Sequence, residues 1–220
     1  MNLLHDVKRH ARKVCIVIEH LEPILGKWIW LEYSHISKIA GYENLLFTNV
    51  KKANEAKKLS TIGKVSHKSI VDLKRSTKGG MIILDPQSPT PLSPGDFAND
   101  TSLLVGGILG DHPPRGRTRH DLTEKLPDWL SRNLGPHQFS VDGAVFVALR
   151  VASGKPITDI PIRLGIEITI SKRYANCLPF AYPAVRKKPL LTPGLKEYLR
   201  RGILKDEETL LRTGKPTSVI

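Results

Sequence analysis

The residues with the most chemical content lie in one run: Leu103-Leu104-Val105-Gly106-Gly107-Ile108-Leu109-Gly110-Asp111-His112-Pro113-Pro114-Arg115-Gly116-Arg117-Thr118-Arg119. An apolar stretch opens into three glycines within five positions, a carboxylate, a histidine, two prolines and alternating arginines. Glycine lets a ligand approach the main chain, and proline fixes φ and removes a donor. The spacing therefore suits a stiffened loop that holds a ligand through backbone groups. A buried strand that ends in such a loop is where α/β proteins place ligands. Asp111 and His112 could accept a proton. Arg115, Arg117 and Arg119 could hold the phosphates of an RNA substrate, or belong to an ordinary solvated loop.

Several chemistries are excluded by pattern. Gly106-Gly107-x-x-Gly110 is not the dinucleotide fingerprint G-x-G-x-x-G, and it lies in mid-chain. Gly154-Lys155-Pro156 and Gly214-Lys215-Pro216-Thr217 lack the upstream glycine and the Ser or Thr that a phosphate loop carries after its lysine. The sequence contains no CxxC, HExxH or GxSxG, and its eight histidines are scattered, so no metal is expected. Two further loops follow apolar elements, Leu84-Asp85-Pro86-Gln87 and Leu134 to Ser140. Three main-chain-rich loops without phosphate or metal signatures suit an uncharged heterocycle such as adenine.

These loops need a scaffold, and hydrophobic periodicity supplies one. Strands are expected at Lys13–Glu22, Asn44–Val50, Gly80–Leu84 and Ser102–Ile108. Helices are expected at Lys27–Gly41, with Ile29, Tyr33, Ile36 and Ala40 on one face, and at Lys51–Ile62, which is basic and amphipathic. A short helix is placed at Ser69–Leu73, another around Leu126 and Trp129, one after an N-cap at Ser140, and a last one at Pro193–Arg201. Residues 155–192 read as irregular, with one short strand at Gly165–Ile170. Trp28, Trp30 and Trp129 read as core. Alternating strands and helices predict an α/β fold with a mostly parallel sheet.

The 220 residues, 40% hydrophobic and 25% charged, are enough for one sizeable core. No apolar run is long enough to span a membrane, and the basic N-terminus is not followed by the apolar stretch of a secretory leader. Cys15 and Cys177 read as reduced thiols in or near the core of a cytoplasmic protein. The net charge of +13 implies polyanionic surroundings, most simply RNA or the ribosome; the alternative is general cationic solubility.

The stretch GGILGDHPPRGRT resembles the signature of the SPOUT-class methyltransferases. The branch concerned contains the fungal arginine methyltransferase of a small-subunit ribosomal protein and archaeal proteins described as predicted RNA methyltransferases. Ile18-Glu19-His20-Leu21-Glu22, Trp28 and Leu31-Glu32-Tyr33-Ser34 resemble the family's first segment. Leu84-Asp85-Pro86 resembles its third-strand loop. Gln138-Phe139-Ser140-Val141-Asp142 stands where the family has Gln-Met-Thr-Thr-Asp, and Leu178-Pro179-Phe180 with Tyr182 is similar to a C-terminal element.

The resemblance implies a mostly parallel sheet flanked by helices with a C-terminal deep trefoil knot, the SPOUT fold. It implies S-adenosylmethionine as cofactor, held by Leu84, Asp85, Pro86, Gly107, Ile108, Leu109, Gly110, Leu134, Gln138, Phe139 and Ser140. One SPOUT domain over residues 1–201, with a basic lead at 1–12, would be followed by a charged, partly ordered tail at 202–220. The expected activity is methyl transfer to an arginine side chain of a ribosomal protein. The alternatives are transfer to ribosomal or transfer RNA, and a non-catalytic module that binds RNA or the ribosome.

For a guanidinium, carboxylates matter, because paired N–H···O bonds match its fork. Asp111 and Glu19, with Arg117, are the expected catalytic residues, and Glu22, His112, Arg115 and Arg119 the substrate-binding ones. Glu19 and Glu22 could equally pair with local basic groups. Homodimer and monomer are both open.

Overall fold

The computed structural model describes residues 14–73, 80–111, 113–171 and 174–219. The basic lead and His112 lie outside the described residues. Six parallel strands form the main sheet: β1 (Cys15–His20), β2 (Leu45–Thr48), β3 (Lys64–Val65), β4 (Gly80–Leu84), β5 (Thr101–Gly107) and β6 (Leu130–Arg132). Their spatial order is β3-β2-β1-β5-β4-β6. β1 is central and pairs in register with β5 from Cys15 opposite Ser102 to His20 opposite Gly107. A parallel sheet buried on both faces needs near-continuous apolar strands, and β1 and β5 supply them. The pleat sends Ile16, Ile18, Leu103 and Val105 into one apolar cluster and Val17 and Leu104 into the opposite one.

Helices cover both faces. These are α1 (Lys27–Ala40), α2 (Ala53–Leu59), α3 (Ile70–Leu73), α4 (Arg117–Asp121), α5 (Val141–Ala152), α6 (Leu195–Arg201) and α7 (Ile203–Thr213). α1 buries Ile29, Tyr33, Ile36 and Ile39, a stripe at helical spacing. It packs beside α5, which is buried along most of its length and capped by the Ser140 hydroxyl accepting from the Gly143 N–H. A second sheet holds the antiparallel β7 (Ile162–Ser171) and β8 (Tyr174–Val185) with a short β9 (Lys188–Pro189).

The structure departs from the expected elements in three places. The helix expected around Leu126 and Trp129 is replaced by α4, a 3-10 turn at Thr123–Lys125 and β6. Pro127 withholds a donor there, and Leu130-Ser131-Arg132 pairs with Ile82-Ile83-Leu84, so tertiary pairing outweighs helical spacing. The region expected to be irregular is the long β7–β8 ribbon. Its period-two pattern, Ile166-Glu167-Ile168-Thr169-Ile170, is interrupted by Gly165 at φ 64 and a register shift. The expected tail is largely α7, and the chain returns beyond it so that the Val219 N–H donates to Leu25 C=O at 3.0 Å. Cys177 is exposed, and Cys15 is half-buried.

Candidate active site

The loops that leave β4, β5 and β6 converge on one cleft of about 290 Å³. β4 contributes Leu84, Asp85, Pro86 and Gln87, and β5 contributes Gly106, Ile108, Leu109, Gly110 and Asp111. Leu134, Gln138 and Phe139 close the third side, against Val141 and Ala144 of α5. The loops are cross-braced. Asp85 is 1% exposed; one carboxylate oxygen accepts the Gln87 N–H at 2.9 Å and the other the Thr123 hydroxyl at 2.8 Å. Arg132 in the cleft wall is held by Asp96 through Nε and Nη2, the latter at 2.8 Å. A Cβ on Gly110 would stand 2.6 Å from Gln138 Nε2 and 2.7 Å from Phe180 Cε1. Gln138 and Phe180 therefore pack directly against the main chain at this position of the cleft wall.

Two of the residues expected to meet the cofactor do not line this cleft. Gly107 faces the core. A Cβ there would stand 2.1 Å from the Tyr33 hydroxyl, which donates to Gly107 C=O at 3.1 Å. Gly106 lines the cleft instead. Ser140 caps α5 and faces the neighbouring cavity.

The structure corrects the expectation that Glu19 is catalytic. It is 2% exposed, and its carboxylate accepts from the Thr48 and Ser69 hydroxyls and the Ile70 N–H, so it anchors the start of α3. All of its reach is spent inside the fold, away from the cleft.

Glu22, Asp111 and Arg117 do meet. Glu22 Oε1 accepts the Leu109 N–H at 2.7 Å, Arg117 Nη2 lies 2.7 Å from Asp111 Oδ2, and Arg117 also donates to Leu109 C=O. Burial pushes the Glu22 carboxyl up, opposed by the Leu109 N–H and Arg117. Arg115 and Arg119 are exposed at the cleft's outer side, Arg119 donating to Gln87 C=O at 3.3 Å.

A second cavity of about 360 Å³ shares Leu109 and Gly110 with the cleft. Its walls include Trp28, Phe180 and Tyr182, and the Glu32 carboxylate, 2% exposed, lies among them. Glu32 accepts from Trp28 Nε1 at 2.8 Å and from the Val141 N–H at 2.9 Å. Burial, then the nearby Asp142, push its carboxyl up to about 8. A third cavity of about 220 Å³ shares Trp28, Leu109 and Ile203 with the second; Glu22, Asp206 and Glu207 line it beneath α7. Sequence reasoning does not single out Glu32, Asp206 or Glu207 as site residues. The signal for Glu32 is a carboxylate on the apolar stripe of α1, one turn after Trp28. Among the described residues no group of His, Cys, Asp and Glu is arranged to hold a metal.

A six-stranded parallel sheet whose last three strands feed one ligand cleft is the architecture of the SPOUT class. Thermococcus kodakaraensis dual-specific Trm10 shares the fold, at TM-score 0.51 and 17% identity over 66% of this chain and 95% of that one. Within the class, the chain belongs to the family described as "Protein arginine N-methyltransferase SFM1-like", which it matches over residues 15–206. It is 30% identical over 210 residues to protein arginine N-methyltransferase SFM1 of Saccharomyces cerevisiae, covering 89% of this chain and 98% of that protein. A crystal structure of the yeast enzyme complexed with SAM superposes with TM-score 0.76 at 28% identity, covering 91% of this chain and 96% of that one.

Proposed function

We propose that this chain transfers a methyl group from S-adenosylmethionine to the guanidinium of an arginine in a protein. The observation that carries this reading is the junction at Leu109 and Gly110. A cleft suited to an uncharged heterocycle meets a chain of cavities lined by Glu22, Glu32, Asp206 and Glu207, in a protein of net charge +13. An acidic groove on a basic protein selects a cation, and aromatic walls at Trp28, Phe180 and Tyr182 suit the flat face of a guanidinium.

The cofactor fits the residues present. Leu84, Leu134, Phe139 and Ala144 make an apolar slot, the carboxamides of Gln87 and Gln138 offer donors and acceptors, and Gly110, with no side chain, lets Gln138 and Phe180 close against its main chain at the cleft wall. When bound, S-adenosylmethionine supplies a methyl group already activated on sulfonium. The protein's own task is alignment and proton removal. Glu22 and, once its carboxyl is ionised, Glu32 hold the guanidinium by charge-assisted hydrogen bonds. Glu32, whose raised carboxyl pKa makes it the better base, takes the proton that the substituted nitrogen must lose. Arg117 keeps Asp111 and the Leu109 carbonyl fixed where cleft and groove join.

Our reading of the target is a ribosomal protein, an arginine-rich class of substrate met in the cytoplasm, and of the fold one whose chain after β6 threads a trefoil knot. The segment after β6 is tied to the loop after β4 by the Leu92 N–H to Asn133 C=O and Asn133 N–H to Thr90 C=O bonds before α5 runs back to α1, which supports that threading. Incubating purified ribosomes with methyl-labelled S-adenosylmethionine tests the activity. Label that survives nuclease, is released by protease and maps to methylarginine is the expected result. Label released by nuclease refutes the protein target.

A further inference from the structure

One stretch that the cleft and groove leave unused is strongly basic. Residues 51–78 carry nine Lys or Arg (Lys51, Lys52, Lys57, Lys58, Lys64, Lys68, Lys74, Arg75, Lys78) against two acids, Glu55 and Asp72. That is a net +7 of the chain's +13. The described part forms a platform at the β2–β3 edge of the sheet. The turns that leave these two strands are joined: the Asn49 N–H donates to Lys68 C=O at 2.9 Å, the Val50 N–H to Ser66 C=O at 3.2 Å, and Lys51 Nζ to His67 C=O at 3.2 Å. Asn49 adopts φ 61, and its amide donates to His20 C=O at 2.8 Å, which seats the pair of turns on β1. The surface is therefore preset.

Lys51, Lys52, Lys57, Lys64 and Lys68 are exposed on it. Lys52 meets Glu55 and Lys64 meets Glu43, while Lys51, Lys57 and Lys68 form no ion pair with a carboxylate among the described residues. The platform also lacks an apolar anchor. Among the described residues the exposed large hydrophobic ones are Tyr42, Leu130, Leu164, Tyr174, Leu204, Leu210 and Leu211; none lies between residues 45 and 73, and Tyr42 is a single ring at the platform's margin beside Glu43. A membrane-surface site needs apolar side chains to insert, and a protein interface needs aromatic or aliphatic hot spots. Phosphate neutralisation needs neither. Among the described residues the platform's helix, α2, is only seven residues long and is packed on the core through Leu59, so it does not project into a DNA major groove, whereas A-form RNA is recognised through its backbone and shape.

We propose that this lysine platform docks on the phosphate backbone of a structured RNA, which is bound but not methylated. It adjoins the acidic groove, since Lys52 Nζ donates to Pro23 C=O at 2.7 Å, one residue beyond Glu22. RNA on the platform thus lies beside the groove and leaves it open to a protein side chain.

The test is fluorescence anisotropy of a labelled RNA hairpin at increasing salt, with the full chain and with the quadruple variant Lys51→Gln, Lys57→Gln, Lys64→Gln, Lys68→Gln. Four phosphate contacts predict that affinity falls by about 50- to 150-fold between about 50 and 200 mM salt. The variant loses most of that slope, and Lys57→Gln alone lowers it by about one. Methyl transfer to a free arginine peptide stays at the unmodified protein's value, and the urea midpoint falls only slightly, through loss of the exposed Lys51–His67 and Lys64–Glu43 contacts. The proposal is overturned if the unmodified chain ignores the hairpin, if the variant keeps the original slope, or if duplex DNA or phosphatidylserine vesicles bind more tightly than RNA.

Discussion

Replacing Gly107 by alanine puts a methyl group into occupied space. The new Cβ would lie 2.1 Å from the Tyr33 hydroxyl, 2.7 Å from Ile18 Cγ2 and 2.9 Å from Glu19 C=O. Backbone on both sides belongs to the paired central strands β1 and β5, so the Tyr33 ring is the neighbour most able to give way. Its movement breaks the bond to Gly107 C=O and the 3.0 Å contact with His20 Nδ1, both buried. Overpacking costs about 1–3 kcal/mol and a buried polar group left unpaired about 1–3 more, so a loss of about 2–6 kcal/mol is expected. That is a large share of a typical domain's stability of about 5–15 kcal/mol.

Urea unfolding of the unmodified chain, Gly107→Ala, Tyr33→Phe and the double variant measures it. Removing the hydroxyl relieves the worst contact, so Gly107→Ala should cost less in the Tyr33→Phe background, with a coupling of at least about 1 kcal/mol. An unchanged midpoint for Gly107→Ala, or additive effects in the cycle, would refute the placement of Gly107 against the core and return it to the ligand cleft.

Other outcomes follow from the same geometry. Gly110→Ala should weaken S-adenosylmethionine binding by about tenfold or more in calorimetry, with the urea midpoint little changed, because its Cβ meets the mobile end of Gln138 and the ring of Phe180 rather than backbone. Glu32→Gln should lower kcat on an arginine peptide by about 10²-fold or more. With Glu32 intact the rate should rise with pH towards and past about 8, and the variant's profile should be flatter. Because the folded-state value of Glu32 lies above the ordinary 4.5, the unfolded chain releases this proton first. Stability attributable to Glu32 is therefore full below 4.5 and is lost as pH rises to about 8, so the Gln variant should show a flatter urea midpoint across that window. Glu19→Ala should cost about 2–4 kcal/mol in urea unfolding by stripping three donors of their acceptor, while kcat stays within about twofold at a temperature where the variant is folded.

The parts of the fold that are legible in sequence are those fixed by local pattern. β1, β4 and β5 are apolar runs of the right length, α1 carries an apolar stripe, and Ser140 announces the start of α5. The elements that sequence misreads depend on distant partners. β6 is three residues whose only reason to extend is the neighbouring β4, and β7 hides its alternation behind Gly165. At the site, the loop residues are readable because glycine and proline leave a spacing signature. The direction of a carboxylate is not so encoded. Glu19 and Glu22 stand three apart at and just beyond the end of one strand, yet Glu19 turns to α3 and Glu22 to Leu109. Glu32 looks in sequence like one more residue of a helix, and only its companions from β8 and α5 make it part of a cavity.

The stitching of residues 133–139 has a consequence for how the chain reaches its working state. Asn133 is bonded to Thr90, and Gln138 C=O accepts the Ala181 N–H at 2.8 Å, so this wall of the cleft is completed by β8, far downstream. The other walls come from the ends of β4 and β5. Contacts of such long sequence separation form late and slowly. Ligand affinity should accordingly be absent from any nascent chain that has not yet exposed residue 181, and should appear during refolding only after helix content has recovered. Binding of the adenosyl ligand is thus a clock for the final folding step rather than a scaffold for the early ones.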